Sequence, residues 1–308
     1  MKIVFLDAST MGDTPLDEIA ALGELTCFDS STREEALERV RDCEVLIINK
    51  IRVDEELMDA APSLKLICEA ATGVNNIDVK AAEARGIPVK NVAGYSTDSV
   101  AQETFMHILS MAGNAQYFDN VVKSGAYSAS PIFTDVSHPF YELSGKTMGI
   151  IGMGTIGSKV AGIARAFGMK VIYYSTSGTS HCKEYPSVPL EQLMMESDVI
   201  SVHAPYNERT AGLVSRRELA LMKPDAFIVN MGRGGIVDES ALAEAIDEDR
   251  IGGAALDVFV KEPIPAENPL LHTRHPEKLR FTPHTAWASC EARARLAHCI
   301  AENIGKSY

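Results

Sequence analysis

The sequence predicts two doubly wound α/β domains, each a parallel sheet covered by helices on both faces. Three observations lead there. Short apolar runs alternate with amphipathic ones from the first residues onward. One run, Met148 to Gly152, opens directly into a glycine-rich turn and then a helical pattern. A chain of 308 residues with 46% hydrophobic content can fill two cores.

In the first half, Lys2–Leu6, Glu24–Phe28, Val45–Ile48, Leu66–Glu69 and Pro88–Asn91 read as strands, with helical patterns such as Arg33–Arg41 and Val79–Arg85 between them. Thr97 to Lys123 then reads as one long helix, opened by Ser96 or Thr97 as N-cap and closed by Gly125. Such a helix can carry the chain from one domain to the next. A second series starts at Met148, with a helix over Ser158–Phe167 that sets Ala161, Ala164 and Phe167 on one face. Its further strands are Lys170–Tyr174, Asp198–His203, Ala226–Asn230 and Gly253–Asp257, and a closing helix spans about Trp287 to Glu302. If that helix returns to the first domain, residues 1–97 and 287–308 form one discontinuous domain around residues 98–286. A cleft between the two is then expected.

Composition narrows the function. A net charge of −13 argues against nucleic acid or an anionic membrane as partner, since both need a basic face. An anionic substrate must therefore be held by a few local cations. Met1-Lys-Ile-Val-Phe-Leu-Asp7 reads as an opening strand without the apolar core of a signal peptide, and no run of 18 apolar residues spans a bilayer. The six cysteines, Cys27, Cys43, Cys68, Cys182, Cys290 and Cys299, show no metal-ligand spacing and are expected as reduced core thiols in a cytoplasmic protein. No metal site is expected.

The turn itself, Gly152-Met153-Gly154-Thr155-Ile156-Gly157, has the spacing of a pyrophosphate seat. Its first glycine permits the tight turn, the second lets the backbone approach the phosphates, and the third lets helix and strand pack closely. The helix N-terminus then offers unpaired N–H groups to the anion.

Several further motifs follow in order: Ala71-Thr-Gly-Val-Asn-Asn-Ile-Asp78, Tyr95-Ser-Thr-Asp-Ser-Val-Ala-Gln-Glu103, Val202-His-Ala-Pro205, Asn230-Met-Gly-Arg-Gly-Gly-Ile-Val-Asp238, Leu256-Asp-Val-Phe-Val-Lys-Glu-Pro263 and Thr282-Pro-His-Thr-Ala-Trp287. Together they resemble the D-2-hydroxyacid dehydrogenases over nearly the whole chain, within that family the glycerate dehydrogenase (hydroxypyruvate reductase) branch. The resemblance implies a Rossmann cofactor domain inserted into a flavodoxin-like substrate domain. It also implies reduction of a small 2-oxo acid, hydroxypyruvate or glyoxylate, with NAD or NADP as cofactor. A rival reading, a dinucleotide sensor of the corepressor type, is compatible with the same residues.

The candidate site residues follow. Arg233 emerges from the carboxyl edge of a strand, where doubly wound sheets bind ligands, and its planar fork suits a carboxylate. The resemblance joins it to Glu262 and His284 as the catalytic set, His284 exchanging the proton and Glu262 fixing its tautomer. It also implies that His203, Ala204, Pro205, Met231, Gly232 and Asp257 line the nucleotide. His203 can equally be a satisfied strand-end histidine, and Asp257 a loop cap. Thr72, Gly73 and Val74 are implied to bind the substrate carboxylate, or they form an ordinary turn. Lys50 can add positive charge, and Trp287 can wall the pocket or merely start a helix. The other histidines receive no functional assignment.

One departure concerns the ribose. An acidic residue is expected about twenty residues past the glycine loop, but the chain reads Tyr174-Ser175-Thr176-Ser177. Neutral hydroxyls do not repel a 2′-phosphate, and Lys183 and His181 lie near enough in sequence to contribute. A homodimer is implied as well, with Phe105, Ile108, Leu109 and Ala112 available for its interface. The run after Asn303 is short, and no appended regulatory domain is expected.

Overall fold

The computed structural model describes residues 1–180 and 182–307. His181 lies outside the described residues. Residues 1–96 supply β1 (Lys2–Phe5), α1 (Asp17–Ala20), β2 (Glu24–Cys27), α2 (Arg33–Arg39), β3 (Val45–Ile48), α3 (Glu55–Asp59), β4 (Leu66–Glu69), α4 (Val79–Ala84) and β5 (Val89–Lys90). Next come α5 (Thr97–Ala112), α6 (Ala115–Lys123), β6 (Thr147–Ile151), α7 (Thr155–Ala166), β7 (Lys170–Tyr174), α8 (Leu190–Glu196) and β8 (Val199–Val202). The chain continues through α9 (Arg216–Leu219), β9 (Phe227–Asn230), α10 (Glu239–Asp247), β10 (Gly253–Leu256) and β11 (Leu279–Phe281) to α11 (Cys290–Gly305).

Two compact units result: Met1–Ser96 with Trp287–Tyr308, and Thr97–Ala286. In the first, all strands are parallel in the order β2-β1-β3-β4-β5. β3 and β4 are buried along their whole length, as parallel strands with helices on both faces must be. One face packs Phe5, Ile47 and Leu66 against Leu296, Ile300 and Ile304 of α11. The other packs Leu6, Leu46 and Ile67 against Ala36, Leu57 and Ala82. The second unit is also parallel throughout, in the order β11-β10-β9-β8-β6-β7. Its two faces are filled by Ile200, Val202, Leu242 and Ile246 on one side and by Ile150, Val160, Ala161 and Tyr173 on the other. In both sheets the strand order reverses beside the first strand, between β1 and β3 and between β6 and β8. The open edge at such a reversal is where ligands bind.

Four expectations need correction. The long helix is two helices, because Asn114 adopts a left-handed φ of 48° and its side-chain amide donates to the Pro139 carbonyl at 2.6 Å. The closing helix starts at Cys290, where Ser289 caps it by accepting the Ala292 N–H at 3.2 Å. Phe105, Ile108 and Ala112 are buried inside the second unit and so are not available to a partner, whereas Leu109 is 43% exposed. Of the six free cysteines only Cys43 and Cys68 are buried; Cys27 sits on the exposed edge strand β2, and Cys290 opens α11 at the surface.

Candidate active site

The glycine loop closes β6 onto α7. Gly152 turns at a φ of 94°, and a Cβ on Gly157 would collide with the carbonyl oxygen of Gly152, so strand and helix approach as only glycine allows. Gly154 differs. Apart from its two chain neighbours, no heavy atom among the described residues lies within 4 Å of the place a Cβ would occupy there, which leaves open space before the first N–H groups of a 12-residue helix. That space and those donors fit a dinucleotide pyrophosphate. Thr155 is exposed at the helix start, while Met153 and Ile156 are half-buried against the core. The turn after β8 packs directly on the loop, since a Cβ on Gly152 would meet the Ala204 nitrogen at 2.9 Å. Pro205 follows at the surface, its carbonyl accepting the Thr210 hydroxyl at 2.6 Å.

His203 bonds Ser201 Oγ through Nε2 at 2.7 Å, and its buried Nδ1 has no partner among the described residues. Burial pushes its pKa down to about 3, so the ring is neutral. After β7, Ser175 Oγ donates to the Thr179 carbonyl at 2.7 Å and lies 3.2 Å from Ser177 Oγ.

The turn after β9 is built by Asn230. Its amide donates to the Arg233 carbonyl at 3.0 Å, and its oxygen accepts the Gly232 N–H at 3.1 Å. Met231 is thereby tucked in, and the half-buried Arg233 donates through Nη1 to the Gly232 carbonyl at 2.9 Å.

His284 and Glu262, 22 residues apart, meet directly: His284 Nδ1 lies 2.6 Å from Glu262 Oε2. Glu262 Oε1 accepts the Phe259 N–H at 2.9 Å, which fixes the carboxylate. With Nδ1–H committed to the carboxylate, Nε2 is the atom free to exchange a proton. Both side chains remain partly open, 24% and 34% exposed. His284 itself adopts a left-handed φ of 56°, an uncommon conformation that its surroundings must hold.

Asp257, only 1% exposed, does the holding. Its Oδ1 accepts the Thr282 hydroxyl at 2.7 Å and the Thr285 N–H at 2.8 Å, and its Oδ2 accepts the Ala286 N–H at 3.0 Å. Glu103 on α5 faces the same loop, accepting the Thr285 hydroxyl at 3.4 Å. Burial, then the charge of Asp257, raises its carboxyl to about 7. His107, one turn along α5, bonds Thr282 Oγ1 at 3.3 Å and is held below the usual histidine range by burial. In the sequence Glu103 stands only as the last residue of the Tyr95–Glu103 motif and His107 has no assigned role; their spacing of four on one helix face is the further signal.

Within the first unit, Asp7 closes the sheet reversal: Oδ1 accepts the Asn49 N–H at 2.9 Å, while Oδ2 accepts those of Lys50 at 2.6 Å and Ile51 at 3.2 Å. The Lys50 ammonium lies 5.9 Å from the centre of the Trp287 ring, which in turn meets Tyr95 edge-on at 6.2 Å. Thr72 Oγ1 donates to the Val92 carbonyl at 2.9 Å, pinning the start of the turn through Gly73, and Val74 packs against the core. Asp7 and Asn230 were not singled out in the sequence; both are polar residues directly after or at the end of an apolar strand, and that position was the available signal.

The family described as "D-isomer specific 2-hydroxyacid dehydrogenase, NAD binding domain" matches residues 105–286 of this chain. The chain belongs to the D-isomer specific 2-hydroxyacid dehydrogenase family. As a 2-hydroxyacid dehydrogenase it is an NAD(P)-dependent oxidoreductase. A hydroxypyruvate reductase of Blautia hydrogenotrophica is 34% identical over 99% of this chain and 96% of its own length. A glyoxylate reductase of Korarchaeum cryptofilum is 39% identical over 87% of this chain and 80% of its own. Among solved structures, an acyclic imino acid reductase in complex with NADPH and D-Arg superposes with a TM-score of 0.86 at 30% identity, over 99% of this dehydrogenase and 96% of the other chain.

Proposed function

We propose that this dehydrogenase reduces a small 2-oxo acid, hydroxypyruvate or glyoxylate, to the D-2-hydroxy acid. The observation that carries the reading is the 2.6 Å pair of His284 and Glu262, with Nε2 left to exchange a proton. The bound dihydronicotinamide supplies the hydride. His284, protonated at Nε2, gives its proton to the oxygen of the substrate carbonyl, and Glu262 stabilises the charged ring that precedes this step. Arg233 binds the substrate carboxylate and holds the reacting carbon in place. Thr72, Gly73 and Val74 serve substrate binding in the first unit. Lys50 adds positive charge for an anionic substrate, and Trp287 shapes the pocket. Residues 152–157, 203–205, 231–232, Ser175 and Asp257 serve the nucleotide, so that residues 98–286 act as the dinucleotide-binding domain and residues 1–97 with 287–308 as the substrate-binding domain. The similar reductases favour an enzyme over a corepressor-type sensor. The test is loss of NAD(P)H absorbance with a panel of 2-oxo acids: turnover of hydroxypyruvate or glyoxylate is expected, and no turnover of any 2-oxo acid with either cofactor rejects the reading.

The protein acts as a cytoplasmic homodimer in this reading. No helix among the described residues is long and apolar enough to cross a membrane. The interface is the segment after α6, where Phe133 is 90% and Val136 81% exposed, with Ile132 and Phe140 also exposed in the same stretch of chain. Apolar side chains concentrated in that way mark an interaction surface. Sedimentation at micromolar concentration decides between dimer and monomer.

A further inference from the structure

We infer that Arg209 is the cation that receives the 2′-phosphate of NADPH, at the Ser175–Ser177 turn; the inference rests on the dinucleotide reading above. The turn ends β7 without the carboxylate that would bind a ribose 2′-hydroxyl and repel a phosphate. Sequence neighbours suggest only Lys183 and His181 as cations there. The fold supplies another. Arg209 lies in the loop after β8, which belongs to the same sheet as β7, and its Nη1 donates to the Ser177 carbonyl at 2.9 Å. The same nitrogen would lie 3.7 Å from a Cβ on Gly178, so the guanidinium rests against the turn itself. Its own loop is pinned by the Arg209 N–H, which donates to Asn207 Oδ1 at 2.9 Å.

The guanidinium is available. It has five N–H donors and spends one on a carbonyl. Among the described residues no carboxylate pairs with it, and Glu184, on the stretch that follows the turn, is already engaged by Arg165. In a chain of net charge −13, an arginine left without an acidic partner stands out as the local attraction for an added dianion. A phosphate presents oxygens that match the planar fork in a bidentate way, which a ribose hydroxyl cannot do. Ser175 and Ser177 add hydroxyls that can rotate to donate to the same oxygens. Arg209 therefore favours NADPH and is neutral toward NADH.

The test is Arg209→Gln, with binding read by cofactor fluorescence for NADPH and NADH and by calorimetry for adenosine 2′,5′-bisphosphate and 5′-AMP. Affinity for NADPH and for the bisphosphate should fall about tenfold or more, the size expected for a charge-assisted bond. NADH and 5′-AMP should change by less than about twofold, which also reports an intact fold. Arg209→Lys, keeping charge without the fork, should fall between. Equal loss for both cofactors, no change for either, or a wild type that binds NADH but not NADPH overturns the inference. A wild type that binds neither dinucleotide overturns the underlying reading as well.

Discussion

Asp257 and His284 are joined through the backbone, the His284 N–H donating to the Asp257 carbonyl at 2.9 Å, while the Asp257 carboxylate takes the next two N–H groups of the same loop. The left-handed φ of His284 is thus held from beneath by one buried residue. Asp257→Ala would take an acceptor from the Thr285 N–H, which is exposed and can turn to water, and from the Ala286 N–H, which is buried and would lose about 1–3 kcal/mol. We expect lower stability in urea and a turnover number that falls further than cofactor affinity. Asp257→Asn, retaining one acceptor, should be milder in both. An alanine variant with wild-type turnover would show that the loop holds itself.

His284→Gln keeps a similar volume but cannot deliver a proton near neutral pH. Turnover should fall on the order of 10² to 10⁴-fold, the usual share of general acid–base catalysis, with cofactor binding preserved. Steady-state kinetics and NADH fluorescence titration check the two halves of that statement.

Arg233→Lys keeps the charge and loses the fork. Substrate KM should rise and turnover fall, with dinucleotide affinity little changed. Collapse of cofactor affinity with unchanged substrate kinetics would move the arginine into the nucleotide site.

Glu103 carries a pH dependence. Its carboxyl is raised to about 7 by burial and by Asp257, with Thr282, Thr285 and the depressed His107 around it. The folded state therefore holds that proton more tightly than the unfolded chain. This contribution to stability is fully present below the ordinary glutamate range and is lost as pH rises through about 7. Glu103→Gln mimics the protonated form, so its unfolding free energy should fall less steeply than wild type between about pH 5 and pH 8. Parallel pH profiles for the two proteins would refute the assignment.

Ser175→Asp restores the missing ribose carboxylate. Wild type should use NADPH within about a factor of ten of NADH, since the Ser175–Ser177 turn carries hydroxyls and no carboxylate to reject the phosphate. In the variant, the new carboxylate accepts from the ribose hydroxyls of NADH and opposes the phosphate of NADPH, a like-charge contact costing on the order of a few kcal/mol. The ratio of kcat/KM for the two cofactors, before and after, measures this. A wild type already strict for NADH would show that another group reads the ribose.

Local signals were legible in the sequence and contacts between distant residues were not. β7 runs over the stretch its β-branched and aromatic residues indicated, and the glycine loop needs only neighbours to take its shape. Glu262 and His284 could be paired only by resemblance, because two loops bring them together and no spacing encodes it. Glu103 with Asp257 and Arg209 with Ser177 are likewise contacts between separate elements, made by sheet order. The break at Gly113-Asn114 was written in the chain, but the apolar residues on both sides outweighed it in a reading by periodicity.

The place of α11 in the first unit governs when that unit can be finished. Leu296, Ile300 and Ile304 cover a face of the sheet whose strands β1, β3 and β4 were made more than two hundred residues earlier. A chain emerging from the ribosome can close residues 97–286 into their own core while Phe5, Ile47 and Leu66 still lack their cover. Synthesis order and completion order are thereby reversed: the half made first is sealed last, by contacts such as that of Arg293 with the Met11 carbonyl.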